Sequence, residues 1–217
     1  MIRRYALTMF LLVLSLYGLN AQQVLKLGSG NLTLEDNVGV RGRALPMSAA
    51  NHAQLMVLRF DNLPTAKQKA ELRRQGIELH SYISHNLYYA TVKGNPAEVL
   101  PAMRGMRSAM PGVRQANVVD PLWKINPEVS SGRIPEWAQA GARGEARMVV
   151  MLFKGCDVGA FAKQLKAKGY RVVSQSAAFG SVVVEMPVEA AHSIAAIDCV
   201  STIGFVEPPA EPQTWHV

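Results

Sequence analysis

The sequence predicts an α+β protein built of two tandem ferredoxin-like βαββαβ units, each a four-stranded antiparallel sheet with two helices on one face. Three observations predict it: an internal repeat, the same order of helical and strand periodicities in both copies, and turn residues at the joins. Leu55-Met56-Val57-Leu58-Arg59-Phe60 sets over Met148-Val149-Val150-Met151-Leu152-Phe153, so that Phe60 falls on Phe153. At the same offset of 93, Gly76 falls on Gly169. Further along, Pro96 meets Pro187, Val113 meets Val200, and Val119-Asp120-Pro121 meets Val206-Glu207-Pro208.

In the second copy Val158, Phe161, Ala162 and Leu165 keep helical spacing. Asp157 is placed to cap that helix, and Gly169 to end it in the left-handed conformation. Strands follow at 170–176 and 181–186, joined near Phe179-Gly180. Pro187 suits the first turn of a second helix, with Val188, Ala191, Ile194 and Ala195 as its buried stripe. A last strand covers 200–206. The first copy repeats the order: a helix over 66–75 ended by Gly76, strands at 77–84 and 87–92 with His85-Asn86 at their turn, and a closing strand at 113–119. Its second helix opens with Asn95 as cap, Pro96 in the first turn and Glu98 completing a capping box, with Val99, Leu100, Met103 and Met106 inward. Around the copies lie an irregular arm at 22–52, with room for one short strand at 24–27, a Pro- and Gly-containing linker at 122–145, and a tail at 210–217. The copies themselves span 53–121 and 146–209.

One-sided sheets should alternate apolar and polar residues along each strand. The strand beginning at Met148 does not, nor does Val182-Val183-Val184, nor Leu55-Met56-Val57-Leu58. Helices cover only one face, so the other needs a cover: the two copies against each other, or a partner protein. Val149 and Val183 are the candidate contacts on that face, although the sequence leaves open whether Val149 or Val150 points toward the helices.

Arg3 and Arg4, an apolar run through Leu19 and the small residue Ala21 read as a secretory signal peptide over 1–21. The run falls short of the ~20 residues a spanning helix needs, so no membrane span is expected after its removal. The expected location is secreted, periplasmic or cell-surface. Loss of Arg3 and Arg4 takes the formal charge from +7 to +5, spread along both copies. Such a modest, dispersed charge argues against nucleic acid. The RNA-binding use of this strand order is also disfavoured, because the glycine-aromatic signature of its middle strands is missing.

No catalytic constellation is present. His52, His80, His85, His192 and His216 form no HExxH pattern and lie near no paired cysteine or aspartate at metal spacing. There is no GxSxG and no phosphate-cradling glycine loop after a strand, so neither cofactor nor metal is expected. Met103, Met106, Met148 and Met151 fall on core faces and read as gap fillers. Cys156 and Cys199 are the only cysteines. They lie in loops at the same end of the second unit, so a disulfide is expected in an oxidising compartment.

Several stretches resemble the N-terminal, fervidolysin-type prodomain region of secreted subtilisin-like serine proteases. They are Leu58-Arg59-Phe60-Asp61, Gln75-Gly76-Ile77-Glu78-Leu79, Tyr82-Ile83-Ser84-His85-Asn86-Leu87-Tyr88, Met110-Pro111-Gly112-Val113-Arg114, and Asp120-Pro121-Leu122-Trp123-Lys124-Ile125-Asn126-Pro127-Glu128. The second copy continues the likeness through Phe205-Val206-Glu207-Pro208. The resemblance implies a protein that assists folding of a subtilisin-like catalytic domain and blocks its cleft. The open sheet face would pack on the protease and the segment after the last strand would enter the cleft. Glu207, Pro208 and Pro209 are the candidates for that segment. The family's Asp-Thr-Gly, His-Gly-Thr and Gly-Thr-Ser contexts do not occur here. The expectation is therefore a non-catalytic inhibitor or folding chaperone. A structural or adhesion module of the cell surface is the alternative, as is a truncated protease fragment.

Overall fold

The computed structural model describes residues 23–34, 40–41, 53–96, 98–100, 112–141 and 144–208. The expected leader, His52, Met103, Met106, Pro209 and the tail with His216 lie outside the described residues. The fold is mixed α+β with three sheets. β1 (Gln23–Leu27) and β2 (Gly30–Leu34) form an antiparallel hairpin. β3 (Val40–Arg41), β4 (Ala53–Phe60), β5 (Ile77–Tyr82), β6 (Leu87–Lys93) and β7 (Val113–Val118) form one sheet in the order β3-β7-β4-β6-β5. β8 (Glu145–Leu152), β9 (Arg171–Ser176), β10 (Ser181–Pro187) and β11 (Val200–Phe205) form another in the order β11-β8-β10-β9. All neighbours are antiparallel except β3 and β7.

Local chemistry accounts for most element ends. Thr65 caps the Ala66–Arg74 helix: its hydroxyl accepts from Gln68 N–H at 3.3 Å, and Gln68 Oε1 accepts from Thr65 N–H at 3.0 Å. Asp157 caps the Val158–Ala167 helix, accepting from Ala160 N–H at 2.9 Å. Gly169, at φ +87°, ends it as expected. His85 and Asn86, at φ 49° and 61°, make the tight turn between β5 and β6, where consecutive left-handed residues match the twist of the paired strands. Helix also opens at Pro96 in the first half, and Asn95 Nδ2 donates to Glu98 Oε1 at 2.8 Å. Pro187 departs from expectation. It ends β10 opposite Glu145, a strand end where a missing N–H is tolerated, and the helix starts later, at Ala190–Ala195.

The register of the repeat also differs. Phe60 N–H donates to Asn86 C=O and Asp61 N–H to Gly112 C=O, at 3.0 and 2.8 Å. In the second half Leu152 N–H donates to Gly180 C=O and Phe153 N–H to Cys199 C=O, at 2.7 and 2.9 Å. Leu152, not Phe153, therefore stands in the place of Phe60. Because strand side chains alternate, the one-residue slip exchanges faces. Met148, Val150 and Leu152 turn toward the helices and are buried, whereas Val149 and Met151 lie on the far face. The expectation that Met151 fills the core is thereby corrected.

The arm and the linker are more ordered than their composition suggested. Leu27, Leu32 and Leu34 of the β1–β2 hairpin lie against Val57 and Leu87, closing the far face of the first sheet. Gln115 reaches the hairpin by donating to Thr33 C=O at 2.8 Å. Ser29 N–H donates to Leu122 C=O, and its hydroxyl to Ile125 C=O, at 2.9 and 2.7 Å. Gly30 is flat against Trp123: a Cβ there would come within 2.5 Å of the indole. Ile125 then pairs in parallel with Ile203, so the supposed linker covers the outer edge of β11. Buried Ile125, Val129 and Ala138 join the second core.

Candidate functional site

The far face of the second sheet reads in three rows set by strand register. Gly204, Val149, Val183 and Ser174 stand side by side across β11, β8, β10 and β9. Thr202, Met151, Ser181 and Ser176 form the next row, and Arg147, Glu185 and Arg171 the row on the other side. Val149, Met151 and Val183 are half-buried. The surface is low because its residues are short, and at its β11 edge a Cβ on Gly204 would come within 2.7 Å of the Asn126 side chain. A bulge at Val173 turns that side chain outward, and Phe179 at the tip of the β9–β10 turn is 77% exposed.

The charged row is tightly knit. Glu185 accepts from Arg147 Nε and Nη2 at 3.2 and 2.9 Å through one oxygen, and from Arg171 Nε at 2.7 Å and Nη2 through the other. The two guanidinium groups roof the carboxylate, leaving it 5% exposed although it lies on the sheet surface. The Arg147 hydrogen bond, then burial opposed by Arg171, sets its titration, and the net effect holds the carboxyl below the ordinary glutamate value. β11 leaves the sheet beside this row. Val206 N–H donates to Arg147 C=O at 3.2 Å, and Val206 C=O accepts from Trp137 Nε1 at 3.2 Å.

A second cluster joins the two sheets. The Phe153 ring stacks on His80 at 4.9 Å between centroids and tilts against Tyr89 at 5.4 Å. His80 Nε2 is 2.7 Å from Thr91 Oγ1, and burial lowers its pKa against the opposing pull of Glu78. Burial pushes the Tyr89 hydroxyl up to about 12. Lys124, 3% exposed, donates from Nζ to Ile197 C=O at 3.0 Å. Burial brings its pKa down to about 8, against the attraction of Asp198, whose own carboxyl is raised by burial. The next residue, Cys199, is disulfide-bonded to Cys156 with 6.0 Å between Cα atoms.

The structure thus places Val149 and Val183 directly opposite each other on one face and brings Cys156 and Cys199 together. Glu207 and Pro208 are exposed and follow β11. Sequence reasoning did not single out Phe153 or Lys124 as joint residues. A lysine between Trp123 and Ile125 was the one local sign of an ammonium held in apolar surroundings. Among the described residues no group of three His, Cys, Asp or Glu side chains is placed to hold a metal ion, and no helix is long and apolar enough to cross a membrane.

A protein-family model described as a domain of unknown function, DUF8729, matches residues 26–112, from the hairpin to the residue before β7. No curated protein matches the chain. No solved structure matches it either.

Proposed function

We propose that both large sheets belong to split βαββαβ units and that the chain is a secreted, non-catalytic binding protein for a subtilisin-like serine protease. It acts as inhibitor or folding chaperone through the far face of the second sheet. The strand orders β7-β4-β6-β5 and β11-β8-β10-β9 support the unit assignment, because each puts the first and last strands side by side. The observation that carries the functional reading is a contrast. The chain closes the far face of its first sheet with its own hairpin, yet leaves the Val149–Val183 pair on the second half-exposed. An apolar row rimmed by Phe179 and Val173 suits a partner surface. The segment after Val206 leaves beside that face, and Glu207 and Pro208 continue it with a proline that favours extended backbone, the form a protease cleft accepts by strand addition.

The test is titration of the purified chain against subtilisin-like proteases, with refolding of the protease in its presence as a second readout. Saturable inhibition in the micromolar range or better is expected, weakened at least tenfold by Val183→Lys. Neither inhibition nor assisted refolding would leave a structural or adhesion module of the cell surface, or a protease fragment without independent function.

A further inference from the structure

We infer that the Cys156–Cys199 disulfide is the clasp of the joint between the two sheets, and that a dithiol opens the joint by reducing it. The inference is independent of any protease partner. Both loops that the bridge ties belong to the second half, and each carries one contact of the joint. The first runs from Phe153 to Cys156, closed by Cys156 N–H donating to Phe153 C=O at 3.2 Å. Its Phe153 ring packs on His80 and Tyr89 of the first sheet. The second runs from Ile197 to Cys199, and Ile197 C=O receives the buried Lys124 ammonium. The loops touch at one backbone bond, Phe153 N–H to Cys199 C=O, directly beside the bridge. Both cysteines are half-buried, so a small thiol can reach them.

A third tie does not depend on the bridge. Asn126 N–H donates to Ile203 C=O at 2.9 Å, beside the Ile125–Ile203 pairing. Reduction therefore turns a fixed joint into a hinge about this pairing and leaves the two halves attached. The exchange balances simply. A reductant thiolate attacks one cysteine sulfur, its second thiol resolves the mixed disulfide, and the reductant leaves as a cyclic disulfide. Cys156 and Cys199 gain two electrons and two protons.

The test treats the full chain with dithiothreitol and follows the His80 titration by NMR together with small-angle scattering. On reduction the His80 midpoint should rise toward its ordinary 6.5 as Phe153 lifts away, and the pair-distance distribution should lengthen. Amide dispersion of β8 to β11 should persist. Phe153→Ala in the oxidised protein should reproduce the His80 shift. A reduced protein with an unchanged His80 midpoint and distribution overturns the inference. So does collapse of the second sheet's dispersion on reduction, which makes the bridge a core staple. So does a Phe153→Ala variant whose His80 titrates as before.

Discussion

Val57 and Val149 hold equivalent places in the two sheets, yet Val57 is completely buried beneath the β1–β2 hairpin while Val149 stays half-exposed. The same side chain at the same register thus serves two ends. One valine closes an intramolecular layer; the other belongs to a face without such a cover among the described residues.

Lysine substitution should separate the two. Val57→Lys places an unpaired charge under the hairpin and should cost several kcal/mol, on the order of 3–5. Val149→Lys or Val183→Lys should cost about 1 kcal/mol or less in the isolated protein. Urea unfolding of the three variants measures this, and equal losses would show the second face to be covered.

Lys124 should make stability rise with pH. Its pKa is about 8 in the folded chain against an ordinary 10.5, so between these values the unfolded chain binds the extra proton. Unfolding then becomes harder as pH increases, by about 2–3 kcal/mol from pH 7 to pH 10 for this group. Comparing wild type with Lys124→Met isolates it: the difference should move toward wild type across that window. A pH-independent difference would refute the assignment.

Glu185 gives a slope of the same sign at acid pH. Its pKa is depressed, so its stabilisation is full above 4.5 and is lost as pH falls through the lower folded value. Glu185→Gln should weaken the row at neutral pH, leaving Arg147 and Arg171 without a carboxylate between them. It should also flatten the acid limb of the stability profile. Thermal unfolding from pH 2 to 7 reads both effects.

The disulfide should be detectable directly. Alkylation of the unreduced protein should leave its mass unchanged, and reduction should add two labels. Replacing both cysteines by serine should cost about 4 kcal/mol in the chain-entropy account of a 43-residue separation. Two labels without reductant would show free thiols.

The element order was legible where a residue's local chemistry sets the chain direction. Asp157, Gly169 and His85-Asn86 each act within a few residues, and each does what its type favours. Strand register was not legible. Matching Phe60 to Phe153 aligned like with like, but Phe60 is a core residue and Phe153 a joint residue one place beyond the strand. Of the hairpin only the strand at 24–27 was expected; its partner β2 was missed because glycine made the arm look irregular. Its signal was the alternation of Leu25, Leu27, Leu32 and Leu34 about the Gly28-Ser29 turn, with Gly28 at φ +52°. The far face of the second sheet was half legible: Val149 and Val183 stood out as apolar, but their exposure follows from the hairpin settling on the first sheet and Asn126 at the β11 edge.

The hairpin's ties also set an order of events in time. Ser29 is held by Ile125 and Ser130, 96 and 101 residues downstream. At about 5–20 residues per second, a ribosome needs a few seconds after completing β6 to supply those partners. During that interval Val57 and Leu87 have a lid already made but nothing to fasten it. Contacts of such long separation also form slowly in a refolding chain. A fragment ending before Leu122 would carry the hairpin without its latch, and would be expected to stick to itself through the first sheet.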